Sequence, residues 1–138
     1  MLDNPTVRQA FRQAWEDSRA EADALREEGG FVLRAQDGSL SIERWPRGLQ
    51  DEITVPPHPG GRRGSSVIVA TFHTHPNVGP EFRQEPGLTD IRAVRDDPSL
   101  RHTEYEGEYV IASETIYHIL PDGRVEHKGD RRSLLLLP

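Results

Sequence analysis

The stretch Val67-Ile68-Val69-Ala70-Thr71-Phe72-His73-Thr74-His75-Pro76 constrains this chain more than any other. β-Branched and aromatic residues dominate it, and the proline ends it by withdrawing the amide that a further ladder bond would need. It predicts a buried strand over Val67–His75. Side chains on a strand alternate between faces, so His73 and His75 point the same way. Two imidazoles so placed are a ready pair of ligands for a borderline metal such as zinc. A carboxylate returned by the chain would complete the set and leave a position for water. Asp90, which stands where a helix can begin, is the candidate.

The rest of the composition narrows the chemistry. Cysteine is absent, so disulfides, thiolate metal sites and a cysteine nucleophile are excluded, and any metal must be held by histidines and carboxylates. A net charge of -6 without a basic face argues against nucleic acid as a partner. The pairs Arg62-Arg63 and Arg131-Arg132 read as solvated. No apolar run approaches the roughly 20 residues needed to span a bilayer, and the charged start carries no apolar leader. The expectation is a soluble, cytoplasmic chain with one domain over residues 1–138.

Asn4-Pro5 predicts a helix start, with Val7, Phe11, Ala14, Trp15, Ser18, Ala22 and Leu25 at helical spacing up to Gly29-Gly30. Phe31–Gln36 and Ser39–Trp45 flank Asp37-Gly38, a two-residue hairpin signal. A short strand is expected at Ile53–Val55, a loop from Pro56 to Ser66, an irregular segment from Pro76 to Pro86 and a helix over Leu88–Arg95. Strands at Tyr109–Ser113 and Thr115–Leu120 follow, then a turn at Pro121-Asp122-Gly123 and a last strand to Lys128. The order is that of an α+β chain with a mostly β core. The Leu-rich tail, residues 131–138, is expected to tuck into a groove, meet a partner or self-associate. Trp15 and Trp45 read as core, and His58, His102, His118 and His127 as surface residues.

Three motifs, Glu27-x-x-Gly30-Phe31-Val32, His73-x-His75-Pro76 and Pro86-Gly87-Leu88-Thr89-Asp90, together resemble the JAB/MPN (JAMM) metalloproteases. That family carries Glu-x-x-Gly at its first strand, His-x-His-Pro at the end of a central strand and Pro-Ser-x-x-Asp opening a helix. The resemblance runs from about Glu27 to the last strands. It implies a curved mixed sheet flanked by a long N-terminal helix and a short helix after the His-x-His strand, in a cytidine-deaminase-like architecture. It also implies zinc-dependent hydrolysis of a peptide or isopeptide bond in a protein or peptide substrate, such as a ubiquitin-like modifier or carrier protein. By position, His73, His75 and Asp90 would hold Zn²⁺, a water on the metal would be the nucleophile, and Glu27 would relay its proton to the leaving amine.

Neighbouring Glu28 is the rival base. Gly87 stands where the family has a serine thought to help stabilise the oxyanion; Thr89 or a backbone N–H at the helix start would have to substitute. The Asn77–Glu85 loop is longer than the family's usual connection, which implies altered specificity. Two other readings are weighed: a JAB/MPN-like binding or scaffold module that has lost catalysis, favoured by Gly87, and a cupin-type metal protein using Glu81 and His127.

Overall fold

The layers of this protein follow from where its apolar stripes are forced to meet. A computed structural model describes residues 1–78, 84–102 and 104–136. Among these the strands are β1 (Gly29–Arg34), β2 (Leu40–Arg44), β3 (Arg62–Arg63), β4 (Ser66–Thr74), β5 (Glu108–Ile111), β6 (Thr115–Ile119) and β7 (Val125–Asp130). They form one open sheet in the order β2-β1-β4-β5-β6-β7, with β3 paired to β4. The sheet is mixed: β4 and β5 run parallel and every other pair is antiparallel. Three α-helices, α1 (Pro5–Ser18), α2 (Leu88–Arg95) and α3 (Arg131–Leu134), complete an α+β fold among the described residues. No helix there is long and apolar enough to cross a membrane.

One face of the sheet is covered by α1. Asn4 caps that helix, its side chain accepting from the Thr6 and Val7 amides at 2.9 and 3.2 Å. Val7, Phe11, Ala14 and Trp15 then pack on Val32, Ala70, Phe72, Tyr109, Ile111 and Ile116. The other face carries Phe31, Leu33, Trp45, Ile68, Val110, Ala112, Tyr117 and Ile119 against Val94 of α2 and Leu100. Parallel strands need a crossover, and the connection from β4 to β5 supplies it through α2 and a 3₁₀ turn at Pro98–Leu100.

A bulge in β4 decides which residues share a face. Val32 pairs with Ala70 but Leu33 pairs with Ile68, so Val69 has no partner on β1. The extra residue shifts the alternation by one. Ile68 consequently lies on the α2 face although Ala70 and Phe72, at even spacing from it, lie on the α1 face. Beyond the bulge Thr71, His73 and His75 alternate with the α1-side residues and fall on the α2 side.

Several expectations are corrected. The first helix stops at Ser18 rather than continuing past Leu25. Beyond Ser18 the helical stripe offers only Ala22 and Leu25, too little burial to hold a further turn. The Ser18 hydroxyl donates to the Trp15 carbonyl at 2.7 Å, and the Ser18 carbonyl accepts from the Arg26 amide at 3.1 Å. Ile53–Val55 joins no ladder, being followed by Pro56-Pro57, which have no amides to donate. His118 is buried, stacked on Tyr109 at 4.3 Å, and His58 and His102 are half-buried; only His127 of these four is exposed. Arg63 is not simply solvated but forks onto Glu43 at 2.6 and 2.9 Å. Arg131 lies 4.4 Å over the Trp15 ring and donates to the Ser113 carbonyl at 2.8 Å. The tail divides: Leu135 joins the core beside Trp15 while Leu136 is exposed. Leu137 and Pro138 lie outside the described residues. Both tryptophans are core, as expected.

Candidate metal centre

His73 is the penultimate residue of β4, and His75 follows the strand's end, its amide donating to the Ile111 carbonyl at 2.9 Å. The two rings sit 5.0 Å apart between centroids. Asp90 comes from the first turn of α2 and reaches both: its Oδ1 lies 3.3 Å from His73 Nε2 and its Oδ2 lies 3.3 Å from His75 Nε2. One ligand atom from each of the three lies within 4.8 Å of the others, so the group could hold a metal ion. The Asp90 carboxylate also accepts from the Gly87 amide at 2.8 Å, half of a capping box. The other half needs a side chain that Gly87 lacks.

The outer nitrogens of both histidines have partners. His73 Nδ1 lies 3.3 Å from Glu108 Oε1, and His75 Nδ1 lies 3.1 Å from the Gln84 carbonyl. Both Nε2 atoms therefore turn inward. His73 Nε2 is buried and makes no well-formed hydrogen bond, although Asp90 is near. A buried donor or acceptor left unmatched costs about 1–3 kcal/mol, and a bound cation would remove that cost. Two imidazole nitrogens and a carboxylate oxygen are also the donor set that suits zinc. The residues fit a metal.

Glu27 and Glu28 part company here. They directly precede β1, and their side chains meet different surroundings. Glu27 lines the same cleft of about 510 Å³ as His73, His75, Asp90, Gly87 and Thr89. Glu28 points to the α1 side, where its oxygens accept from Arg44 and Arg47, both at 2.7 Å. Gly29 between Glu28 and Gly30 must lack a side chain, because a Cβ there would stand 2.6 Å from the Phe72 carbonyl and 2.7 Å from the Trp45 ring.

The electrostatics are those of a cation site. Burial pushes the Glu27 carboxyl up to about 7, with Asp90 and Glu108 adding to the rise and the charges of His73 and His75 opposing it. Burial alone would lower His73, but Glu108 and Asp90 outweigh it and hold the imidazolium well above its ordinary range. Burial would raise Asp90, yet the His73 and His75 rings close beside it hold it far below the usual carboxylate range. Asp51 and Glu52 line the cleft as well, and no lysine or arginine lines it among the described residues.

Glu108 escaped the reading of the sequence. Its signal was there: in the alternation of β5 it shares a face with the buried Val110 and Ala112, an unusual place for a charge. His127, the cupin alternative's ligand, is exposed on β7 with β5 and β6 between it and β4, and the sheet is open rather than a barrel. Glu81 lies outside the described residues, as does part of the Asn77–Glu85 loop. Thr89 is exposed on the first turn of α2 at the edge of the cleft.

Comparison with protein-family models, with curated proteins and with solved structures gives no match for this chain.

Proposed function

We propose that this protein is a zinc-dependent peptidase or isopeptidase of the JAB/MPN type, with its sheet and two flanking helix layers as a variant of that architecture. The observation that carries the reading is the sorting of the two glutamates. The buried Glu27 shares the cleft with the His73, His75 and Asp90 group, whereas Glu28 is spent on two arginines. A hydrolytic site of this kind needs a carboxylate beside the metal ligands and free of a competing ion pair.

His73, His75 and Asp90 would hold the ion. Bound zinc supplies Lewis-acid polarisation and makes water acidic enough to yield a proton near neutral pH. Glu27 would accept that proton at a carboxylate oxygen as the water oxygen bonds to the carbonyl carbon, and would return it to the amine nitrogen as the C–N bond breaks. Its shift to about 7 suits a group that must both take and give a proton. Gly87 and Thr89 line the cleft at the start of α2, and the Thr89 hydroxyl or a backbone amide there would be the donor to a developing oxyanion. The acidic cleft favours a substrate that carries free, charged lysines or arginines beside the cleaved bond.

A second reading is a metal-binding scaffold of the same fold without turnover, favoured by the missing hydroxyl at Gly87. The deciding experiment is hydrolysis of lysine-linked isopeptide and linear peptide libraries by zinc-loaded protein, with Glu27→Gln as control. Cleavage that needs both zinc and Glu27 supports the peptidase. A zinc-loaded protein that cleaves nothing supports the scaffold.

A further inference from the structure

We infer that Glu108 is a positioning residue for the metal centre: its buried carboxylate holds the Nδ1 proton of His73, so that Nε2 is the nitrogen presented to the ion. The inference rests on the metal reading above and adds a residue to it.

The carboxylate is placed by the backbone, not by chance of a flexible chain. Strand β5 begins at Glu108, paired in parallel with Thr71, and the Thr71 amide donates to the Gly107 carbonyl at 3.1 Å. Gly107 has φ of 108°, a conformation side chains disfavour, and a Cβ there would stand 2.0 Å from the Ile119 carbonyl. This glycine lets the chain enter the sheet tightly against β6 and sets the phase of β5. Glu108 then emerges on the α2 face, beside His73 on the neighbouring strand.

The fold alone gives this carboxylate no reason to be there. Glu108 is 6% exposed and His73 4% exposed, and among the described residues His73 is the ion-pair partner that Glu108 has. Burying an ionised carboxylate costs several kcal/mol unless it is matched. An apolar residue would fit β5 better, as the following Val110 and Ala112 do. What a carboxylate supplies and an apolar residue cannot is an acceptor for an imidazole N–H. A histidine that ligates through one nitrogen is oriented, and made a better donor, when its other nitrogen gives its proton to a carboxylate. His75 has the weaker form of the same device, since its Nδ1 meets the Gln84 carbonyl. The two histidines thus differ in support, and His73 carries the charged one.

The test is zinc affinity by chelator competition on the full chain, for parent, Glu108→Gln and Glu108→Ala, with ring-nitrogen NMR of the zinc-loaded proteins. The expected weakening is on the order of 10–100-fold for Glu108→Ala and less for Glu108→Gln, which keeps an acceptor oxygen. In the parent, His73 should carry its proton on Nδ1 and bind through Nε2. In Glu108→Ala that Nδ1 proton signal should be lost or broadened, while the His75 signal persists as an internal control; a purely structural role for Glu108 would move both or neither. Unchanged zinc affinity and an unchanged His73 ring signal in either folded variant overturn the inference and leave the metal centre standing. A parent chain that takes up no zinc overturns both. Where Glu108→Ala fails to fold, Glu108→Gln, nearly the same shape, decides by the same two readouts.

Discussion

Thr74 grips Glu28 at both of its backbone polar groups: its hydroxyl accepts from the Glu28 amide at 3.0 Å and its amide donates to the Glu28 carbonyl at 2.9 Å. This double attachment locks the phase of the segment before β1, and with it the face on which each glutamate emerges. Glu27→Gln should therefore keep zinc content and melting temperature while hydrolysis falls by a factor on the order of 10²–10⁴, the usual contribution of a positioned base. Glu28→Gln should leave hydrolysis near the parent level but cost about 1–3 kcal/mol in urea unfolding, because it weakens charged hydrogen bonds to Arg44 and Arg47. Silence of Glu27→Gln in a working hydrolysis assay would remove that residue from the chemistry.

Metal removal should be visible without any substrate. Zinc bound only by the folded state stabilises it by about 2.7 kcal/mol when free zinc is 100 times its dissociation constant. Scanning calorimetry should show a zinc-dependent rise in melting temperature that a chelator reverses. His73→Ala, His75→Ala and Asp90→Ala should each abolish the rise. A zinc response that survives all three together would place the ion elsewhere.

Gly87→Ser separates two effects at one position. With φ of -86° and ψ of 176°, Gly87 has a backbone conformation serine adopts freely. The new hydroxyl would complete the capping box with Asp90, a gain of a few tenths of a kcal/mol. If an oxyanion donor is what the site lacks, turnover should rise as well, by up to a factor on the order of 10²–10³, with zinc content unchanged. A rise in stability without a rise in turnover would assign the oxyanion to other donors.

Acid should expose His118. Burial lowers its pKa from 6.5, aided by Lys128 and opposed by the Glu106 carbonyl at 2.7 Å and by the charges of Glu126 and Glu106. The fold favours the neutral ring over the protonated one, so its contribution is full above pH 6.5 and is lost as the pH falls through the depressed value. Metal-free protein should lose more stability between neutral and mildly acidic pH than His118→Gln does, measured by urea unfolding at each pH. Parallel losses in the two proteins would contradict the assignment.

The end of the chain offers a packing test. Leu135→Ala should cost about 2–4 kcal/mol, since the side chain is 3% exposed beside Trp15. Leu136→Ala, at 73% exposed, should be near neutral. Concentration-dependent sedimentation that disappears in Leu136→Ala would instead mark it as a contact between molecules.

Local signals in the sequence were the readable ones. The Asp37-Gly38 turn lies between β1 and β2, and α2 spans Leu88–Arg95 as expected. The histidine pair was legible because strand alternation is a local rule, and Asp90 because helix starts have their own chemistry. The end of α1 was not: alanines after Ser18 read as helix, but pairing of Glu27 and Glu28 with Leu49 and Thr74 takes over. Glu108 stayed hidden for the same reason. Alternation marks it as a charge on a buried face, but its partner, His73, comes from the parallel pairing of β5 with β4, which joins distant parts of the chain. The choice between Glu27 and Glu28 also lay in tertiary pairing, beyond what spacing alone can decide.

The unpaired Val69 works as a phase shifter in the middle of β4. Upstream of it, Ile68 answers to the needs of packing; downstream, His73 and His75 answer to the cleft. Removing Val69 would force the upstream half to swap its inward and outward residues, while the grip of Thr74 on Glu28 would keep the histidines aimed as before. A single spare residue thus sets which face of the sheet the two histidines share.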